Sequence, residues 1–548
     1  MKITAVQLNY IVADFEYNFA KIKQAMIKHK DQDLIIFSEL NIIGYYPYDL
    51  LVYPEIIKQQ NAIIERIRHL THEYKTAVII GVVRAIDGLK KFHNAALVID
   101  QGQIVFEYHK KLMPSYGIFD ESRHFIAGEG QPFFEFRGRK LALFICEDIW
   151  FDNHQGYDTN PVATLEHHKL DAVIAINASP SMIGKFKQRL SIAQKINQLA
   201  AAPFIYVSQV GGYDEIVYDG SSFISNKEGE LVALASSFDE DAVSVDLDRL
   251  PKSALGCPFH NSNEWLLKQL MLGLSDYLKK CGFTQVVVGS SGGIDSAVTL
   301  AIASLALGAE NVSAITMPSV YSSKGSVDDS VKLCENLGVE LFTRPIIEDY
   351  KLSVDAFETA FGKSPAKLTR ENMQARIRGR VVMEYANDDN RLMLTTGNKS
   401  ELAVGYATLY GDMNGALNCI GDLYKHEVYE LAAYINEAYG DLIPQAIIDK
   451  APSAELSEGQ KDADSLPDYY YLDAMLKLYI ERDLLPEDEI VALEKIVSEV
   501  DIVEQKRIYR LVELNEFKRK QAPQILIVHK RPFGIGRRMP VTAHFQKV

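Results

Sequence analysis

The sequence predicts an α/β protein built as two domains, and three observations carry that expectation. Its 548 residues exceed what a single hydrophobic core ordinarily serves. Short apolar runs rich in β-branched residues alternate with amphipathic helical stretches through nearly the whole chain. That alternation lapses between Ser236 and Asn263, where acidic residues precede Pro251 and a Gly256-Cys257-Pro258 turn. A boundary near residue 255 follows, giving domains of roughly 1–250 and 251–548.

In the first domain the expected strands are Lys2–Leu8, Leu34–Phe37, Ala77–Val83, Ala95–Ile99, Lys140–Ile145, Ala172–Ile176 and Phe204–Val207. Between them, Asn18–Lys28 and Lys187–Ala200 place apolar residues near helical spacing. In the second domain Gln285–Val288, Val312–Met317, Leu341–Pro345 and Leu392–Thr395 read as strands, each close to a helical pattern. No internal repeat or low-complexity tract interrupts either half.

Composition narrows the function. A hydrophobic fraction of 47% with 24% charged residues is that of a soluble globular protein. A net charge of −15 argues against general nucleic-acid binding, because phosphate backbones repel acidic surfaces. The five cysteines are scattered without a CxxC pair, which suits a reducing compartment and gives no zinc signature. No stretch approaches the ~18 apolar residues that span a bilayer, and Met1–Phe15 lacks the pattern of a secretory leader. A cytoplasmic protein with neither nucleic-acid nor membrane partner is expected.

Three residues of the first domain sit at the ends of predicted strands, where side chains can converge. Glu39 follows LIIFS, Lys110 follows IVFEYH and Cys146 follows LALFI. Metal-free amide hydrolysis needs a nucleophile, a base that shuttles its proton, and a cation or oxyanion hole for the tetrahedral intermediate. Cysteine, glutamate and lysine supply these. An ammonium nearby also favours the thiolate. Taken singly, a cysteine after an apolar strand is ordinarily a core residue, and glutamate and lysine are ordinarily surface charges. Position alone does not choose between Lys110 and the adjoining Lys111.

The wording around them is more specific. FSELNIIGYYP, HKKLMPSYGIFDESRHFIAG and ICEDIW resemble, in order and spacing, the signature segments of the nitrilase (carbon–nitrogen hydrolase) superfamily, over about the first 250 residues. The resemblance implies an α-β-β-α sandwich with Glu39 as general base, Lys110 as transition-state cation and Cys146 as nucleophile. Glu121 matches a second glutamate that supports the lysine and positions substrate. The PSYGIFDE segment, with Tyr116, and NASPSMIGKFKQR resemble glutamine amidases, making Ser179 and Arg189 candidates for holding the amino acid end of glutamine. A buried carboxylate suits the bidentate fork of arginine. Met113 and Ser208 depart from the usual leucine and asparagine.

The second domain opens with VVVGSSGGIDSAVTLAIASLAL, read as strand, glycine-rich turn and helix. In Ser291, Gly292, Gly293, Ile294, Asp295 and Ser296, two glycines let backbone N–H groups approach phosphates, the helix start adds its dipole, and the serines donate. Asp295 would repel phosphate and makes sense as a Mg²⁺ ligand. SGGIDS resembles the pyrophosphate loop of ATP pyrophosphatases and implies a Rossmann-like parallel sheet. Gly362-Lys363-Ser364 only imitates a Walker A loop, because Phe357 stands where its first glycine belongs.

TTGNKSELAVGYATLYGDMNGALNCIGDLYK (395–425) resembles the NAD synthetases within that superfamily, as do MPSVYSS, ENMQARIRG and PSAELSEGQKDADSLPDYYYLD. The resemblance implies Glu401 beside Asp295 as Mg²⁺ carboxylates, and Arg376, Thr396 and Lys425 as ATP contacts. Glu401 and Asp412 would serve the dinucleotide substrate, nicotinic acid adenine dinucleotide. Val320 replaces the family's usual arginine. A basic C-terminal run, from Lys518 to Arg538, resembles the family tail and suggests an interdomain or intersubunit role.

The halves complement each other: one frees ammonia from glutamine, and the other activates a carboxylate with ATP to receive it. The resemblance implies a homodimer or larger homo-oligomer. Two other readings stay open: an ammonia-dependent enzyme with a vestigial amidase domain, and a nucleotide-sensing protein without catalysis.

Overall fold

The computed structural model describes residues 1–150, 156–251, 255 and 262–543. The chain divides into two compact units, Met1–Gly211 with Val217–His260 and Gly212–Ile216 with Asn261–Val548. The Gly256–Pro258 turn lies outside the described residues.

The first unit is a four-layer α-β-β-α sandwich. One six-stranded sheet runs, in spatial order, Asp241–Asp246, Lys2–Gln7, Leu34–Ile36, Ala77–Ala85, Phe92–Asp100 and Gln103–His109. The other runs Leu231–Leu234, Phe223–Ser225, Phe204–Ser208, Ala172–Asn177, Arg139–Ile145 and Phe133–Phe136. Lys2–Gln7 packs against Phe204–Ser208 across the sandwich. Helices Phe15–Lys28 and Pro54–Tyr74 cover one outer face and Lys185–Ala200 the other. In Phe15–Lys28 the buried residues Phe15, Phe19, Ile22, Ala25 and Met26 recur at helical spacing, and Asp14 caps it by accepting from Tyr17 N. Strands flanked on both faces read as continuous apolar runs: Ala172–Asn177 is buried throughout.

Asp241–Asp246 is a strand that the sequence reading, which noted only weakened alternation here, did not name. DAVSVD pairs antiparallel with Lys2–Gln7 in full register, from Lys2 opposite Asp246 to Gln7 opposite Asp241. As an edge strand with acidic ends it shows too little apolar alternation to be recognised.

The second unit carries a six-stranded, all-parallel sheet in the order Glu340–Thr343, Val312–Thr316, Val286–Gly289, Leu392–Thr395, Leu417–Asn418 and Gln524–Ile525. The order reverses beside Val286–Gly289, and such a switch point opens a crevice at the strands' carboxyl ends. Val286, Val287 and Val288 are each 0% exposed, a burial worth about 1.5–3 kcal/mol per side chain. Helix Ile294–Leu307 is buried on nearly every side over its first ten residues, which explains its uninterrupted apolar sequence. Gly362 is the left-handed cap of helix Ile347–Phe361, so the Walker-like triplet is a helix end. Arg531 pairs with Asp483, Arg537 with Glu513 and Glu516, and Lys518 with the carbonyls of Gly405 and Ala407. These members of the basic run, expected to act between domains or subunits, are thus engaged within their own unit. Among the described residues no helix is long and apolar enough to cross a membrane.

Two candidate active sites, one in each unit

In the first unit the ends of three strands bring Glu39, Lys110 and Cys146 together. Lys110 Nζ donates to Glu39 Oε1 at 2.8 Å and to Glu121 Oε1 at 2.7 Å, and all three side chains are at most 1% exposed. Asn94 Nδ2 also donates to Glu39 Oε1 at 2.8 Å, and the Ala178 backbone N–H donates to Oε2 at 2.9 Å. The carboxylate is held on both oxygens. Gly81 lies behind it: a Cβ there would stand 2.2 Å from Leu40 N and 2.9 Å from Glu39 Cα.

Cys146 follows strand Arg139–Ile145 and begins the one-turn helix Cys146–Ile149 with φ +43°, a strained value for a residue with a side chain. Asp148 pins this turn to the strand end bearing Lys110. Its Oδ1 accepts from the backbone of Lys111 and Leu112 at 2.9 Å each, and its Oδ2 from the Tyr108 hydroxyl at 3.0 Å. Lys111 is tied here by its backbone and stays partly exposed, which assigns the buried ammonium to Lys110.

Lys110 acts on the Cys146 thiol in the expected direction but is outweighed. Burial, then the charge of Glu39, pushes the Cys146 thiol well above its ordinary value, and the opposing pull of Lys110 is smaller. That upward push favours the protonated thiol. Lys110 is held charged: burial opposes this, but Glu121 and Glu39 outweigh it. Burial pushes Glu121 up to about 7.

Tyr116 donates its hydroxyl to Glu147 at 2.9 Å, and Tyr157 donates to the same oxygen at 3.1 Å. Glu147, 4% exposed and next to Cys146, was not singled out from sequence, although ICEDIW contains it. Arg189 is a correction of the opposite kind. It donates to both oxygens of Asp219, at 2.6 and 2.8 Å, to the carbonyls of Ser179 and Pro180, and to Ser179 Oγ at 3.3 Å. A guanidinium so engaged has no free fork for a substrate carboxylate; it shapes the Ser179–Pro180 turn. Ser208 Oγ is buried with no hydrogen-bond partner among the described residues, marking the place where asparagine was expected.

In the second unit a cavity of about 340 Å³ opens at the switch point, floored by Ser291–Ser296. Gly292 has φ +72°, and a Cβ there would come within 2.2 Å of Ser326 O, so the turn demands glycine. Gly293 caps helix Ile294–Leu307, aiming its first N–H groups toward the cavity. Lys425 Nζ bridges Asp295 Oδ2 at 2.5 Å and Glu401 Oε1 at 3.1 Å, and Asn398 Nδ2 donates to Asp295 Oδ1 at 2.9 Å. Burial pushes Glu401 up to about 8 despite Lys425. Beneath, fully buried Lys399 pairs with Asp422 at 2.9 Å and Glu481 at 2.7 Å and anchors the short helix carrying Glu401.

Thr396 and Asp412 line the same cavity; Asp412 Oδ1 accepts from Thr408 N at 2.6 Å. Arg376 does not line it. It is exposed, with Nε on the Leu409 carbonyl, while Arg378 borders the cavity, donating to the Met317 carbonyl at 3.1 Å. The arginine expected at the nucleotide thus faces away from the cavity and its neighbour two residues on faces toward it, since two residues along a helix swing a side chain by ~200°. Lys450, which donates to Gly292 O and Asp329, had no motif to reveal it.

The two halves match separate families: residues 2–250 match the carbon-nitrogen hydrolase model and residues 266–522 the NAD synthase model. Over 561 aligned residues the chain is 39% identical to the glutamine-dependent NAD(+) synthetase of Synechocystis sp., covering 99% of each chain. It is 37% identical to that of Acinetobacter baylyi, covering 98% of each. Among solved structures, the glutamine-dependent NAD+ synthetase of Acinetobacter baumannii, in complex with adenosine diphosphate, superposes with a TM-score of 0.77 at 36% identity over 98% of each chain. The enzyme of Cytophaga hutchinsonii, at 18% identity and a TM-score of 0.82, shares the fold over 99% of this chain and 98% of its own.

Proposed function

The chain belongs to the glutamine-dependent NAD(+) synthetases, and from that premise we propose how its own residues divide the work. It is a ligase that makes an amide at the expense of ATP with glutamine as nitrogen donor. The acceptor is the carboxylate of nicotinic acid adenine dinucleotide. One observation carries the assignment of residues: a buried Cys146–Glu39–Lys110 cluster and a cavity floored by Ser291–Ser296 occur on one chain.

In the amidase site Glu39 takes the Cys146 proton as Sγ attacks the side-chain amide carbon of glutamine. Lys110, held charged, faces the negative charge that builds on the carbonyl oxygen. Glu39 returns the proton to the leaving nitrogen, ammonia departs, and water hydrolyses the thioester. Glu147, carried with Tyr116 and Tyr157, suits the α-ammonium of the substrate. Glu121 keeps the Lys110 ammonium in place.

In the synthetase site the loop N–H groups and serine hydroxyls receive the phosphates of ATP, with Arg378, Lys425 and Lys450 as cations around them. The acceptor carboxylate attacks the α-phosphorus, pyrophosphate leaves, and ammonia displaces AMP from the acyl-adenylate. Asp295 and Glu401 fit a divalent cation. Two carboxylates share a single ammonium, burial holds Glu401 high, and Mg²⁺ ordinarily takes one or two carboxylates and fills its remaining positions with phosphate and water. The ion would screen the charge of the departing pyrophosphate.

ATP and glutamine as co-substrates fit a cytoplasmic setting, and a homodimer or larger homo-oligomer is the expected state, measurable by light scattering. The decisive test is Cys146→Ala. AMP formation driven by glutamine should vanish while AMP formation driven by ammonium chloride persists. Glutamine-driven turnover by that variant would overturn the assignment of the nucleophile.

A further inference from the structure

The ammonium that bridges Asp295 and Glu401 belongs to a residue whose own backbone is held by a buried carboxylate. Lys425 and His426 open helix Lys425–Tyr439, so their N–H groups are among the first four, which no turn of that helix accepts. Side chains from two other helices take them up. The Lys425 N–H donates to Ser400 Oγ at 3.0 Å, and the Ser400 hydroxyl donates in turn to Asp473 Oδ1. The His426 N–H donates to Asp473 Oδ2 at 2.9 Å, and the His426 ring Nδ1 lies 2.8 Å from the same oxygen.

Asp473 is 2% exposed, on helix Tyr469–Glu481, and Ser400 is fully buried, on helix Lys399–Val404. A carboxylate taken out of water is costly unless its oxygens accept hydrogen bonds. Here each bond comes from the start of helix Lys425–Tyr439 or from the serine that supports it. Burial alone would depress the His426 imidazole, but its hydrogen bond to Asp473 raises it above the ordinary value instead. Ser400 is also the residue before Glu401, so Asp473 reaches both members of the cation pair through one link. Neither Ser400 nor Asp473 lines the cavity, so any effect on the reaction must pass through Lys425 and Glu401.

We propose that Asp473 is a positioning residue for adenylation: through Ser400 and the His426 backbone it fixes where Lys425 holds its ammonium between Asp295 and Glu401. The inference rests on the reading of this cavity as the adenylating site. Lys425 Nζ stands 2.5 Å from Asp295 and 3.1 Å from Glu401. A shift of the helix start by ~1 Å would break one of these contacts, and misplacement on that scale costs up to about 100-fold in rate.

The test is a double-mutant cycle in the full chain, read by exchange of pyrophosphate into ATP dependent on nicotinic acid adenine dinucleotide. Asp473→Ala should lower kcat/KM for exchange about 30-fold, and Lys425→Met about 100-fold. The double variant should match Lys425→Met to within about threefold, because the ammonium that Asp473 places is already gone. A carboxylate that only capped the helix would multiply its loss onto that of Lys425→Met, and that result overturns the proposal. So does exchange at the wild-type rate in Asp473→Ala. Should Asp473→Ala lack a cooperative melting transition, Ser400→Ala takes its place, about tenfold down alone and with no further loss on Lys425→Met. Lys425→Gln replaces Lys425→Met on the same condition. Absence of exchange in the wild-type protein would instead overturn the reading of the cavity itself.

Discussion

Replacing Lys110 with methionine removes a charge and three donors while nearly preserving length and volume. In the native protein this ammonium lies 2.8 Å from Glu39 and 2.7 Å from Glu121, with the three side chains at most 1% exposed. Removing one partner of a buried ion pair leaves an uncompensated charge, which costs about 3–5 kcal/mol. At ~2–4 °C per kcal/mol for a domain of this size, the melting transition of the first unit should fall by about 6–20 °C. The loss should depend on pH. Burial already raises Glu121 from an ordinary 4.5 to about 7 with the ammonium present; without that ammonium it rises further. A carboxyl whose folded pKa exceeds its unfolded value binds extra protons on folding, so its contribution falls as pH rises through that window. The deficit of Lys110→Met is therefore smallest near pH 5 and fully developed above about pH 8. Calorimetry at those two pH values reads the stability. Parallel AMP assays should show glutamine-driven turnover down about 1000-fold and ammonium-driven turnover within about twofold. A variant melting within about 2 °C of wild type at pH 8, or losing equally at both pH values, would refute the account of Lys110 as the compensating charge.

Two further outcomes bear on the synthetase cavity. Gly292→Ala must displace either the loop or the Ser326 carbonyl, so the KM for ATP in pyrophosphate exchange should rise at least about tenfold, and an unchanged value would contradict the geometry of the turn. Arg378→Ala should raise the KM for ATP about tenfold and Arg376→Ala no more than about twofold, with the reverse ranking sinking the correction made from the cavity lining.

The sequence disclosed most where chemistry and periodicity coincide. Val286–Gly289, the turn and helix Ile294–Leu307 were readable because strand, glycine and apolar helix follow one another within a short stretch. Glu39, Lys110 and Cys146 stood out because each follows a predicted strand within a segment that resembles a carbon–nitrogen hydrolase signature. What escaped had no local mark. Asp241–Asp246 is a strand only through its pairing with Lys2–Gln7, some 240 residues away. Arg189 looked like a carboxylate ligand because its partner, Asp219, is thirty residues distant and no pattern links them. Lys450 and Asp462 reach the cavity from a segment whose neighbours in space come from far along the chain. The thiol of Cys146 also defied a pairwise argument: its nearest cation was anticipated, but burial and a carboxylate outweigh it.

Gly81 has no side chain and no charge, yet the space it leaves empty is where the backbone of Glu39 sits. Any larger residue there would shoulder Glu39 aside by about an ångström, with its carboxylate still present. A saturation scan scored on glutamine hydrolysis would accordingly rank position 81 among the reacting groups. Tolerance to substitution reports steric clearance as well as chemistry, and in this sandwich the two cannot be told apart without coordinates.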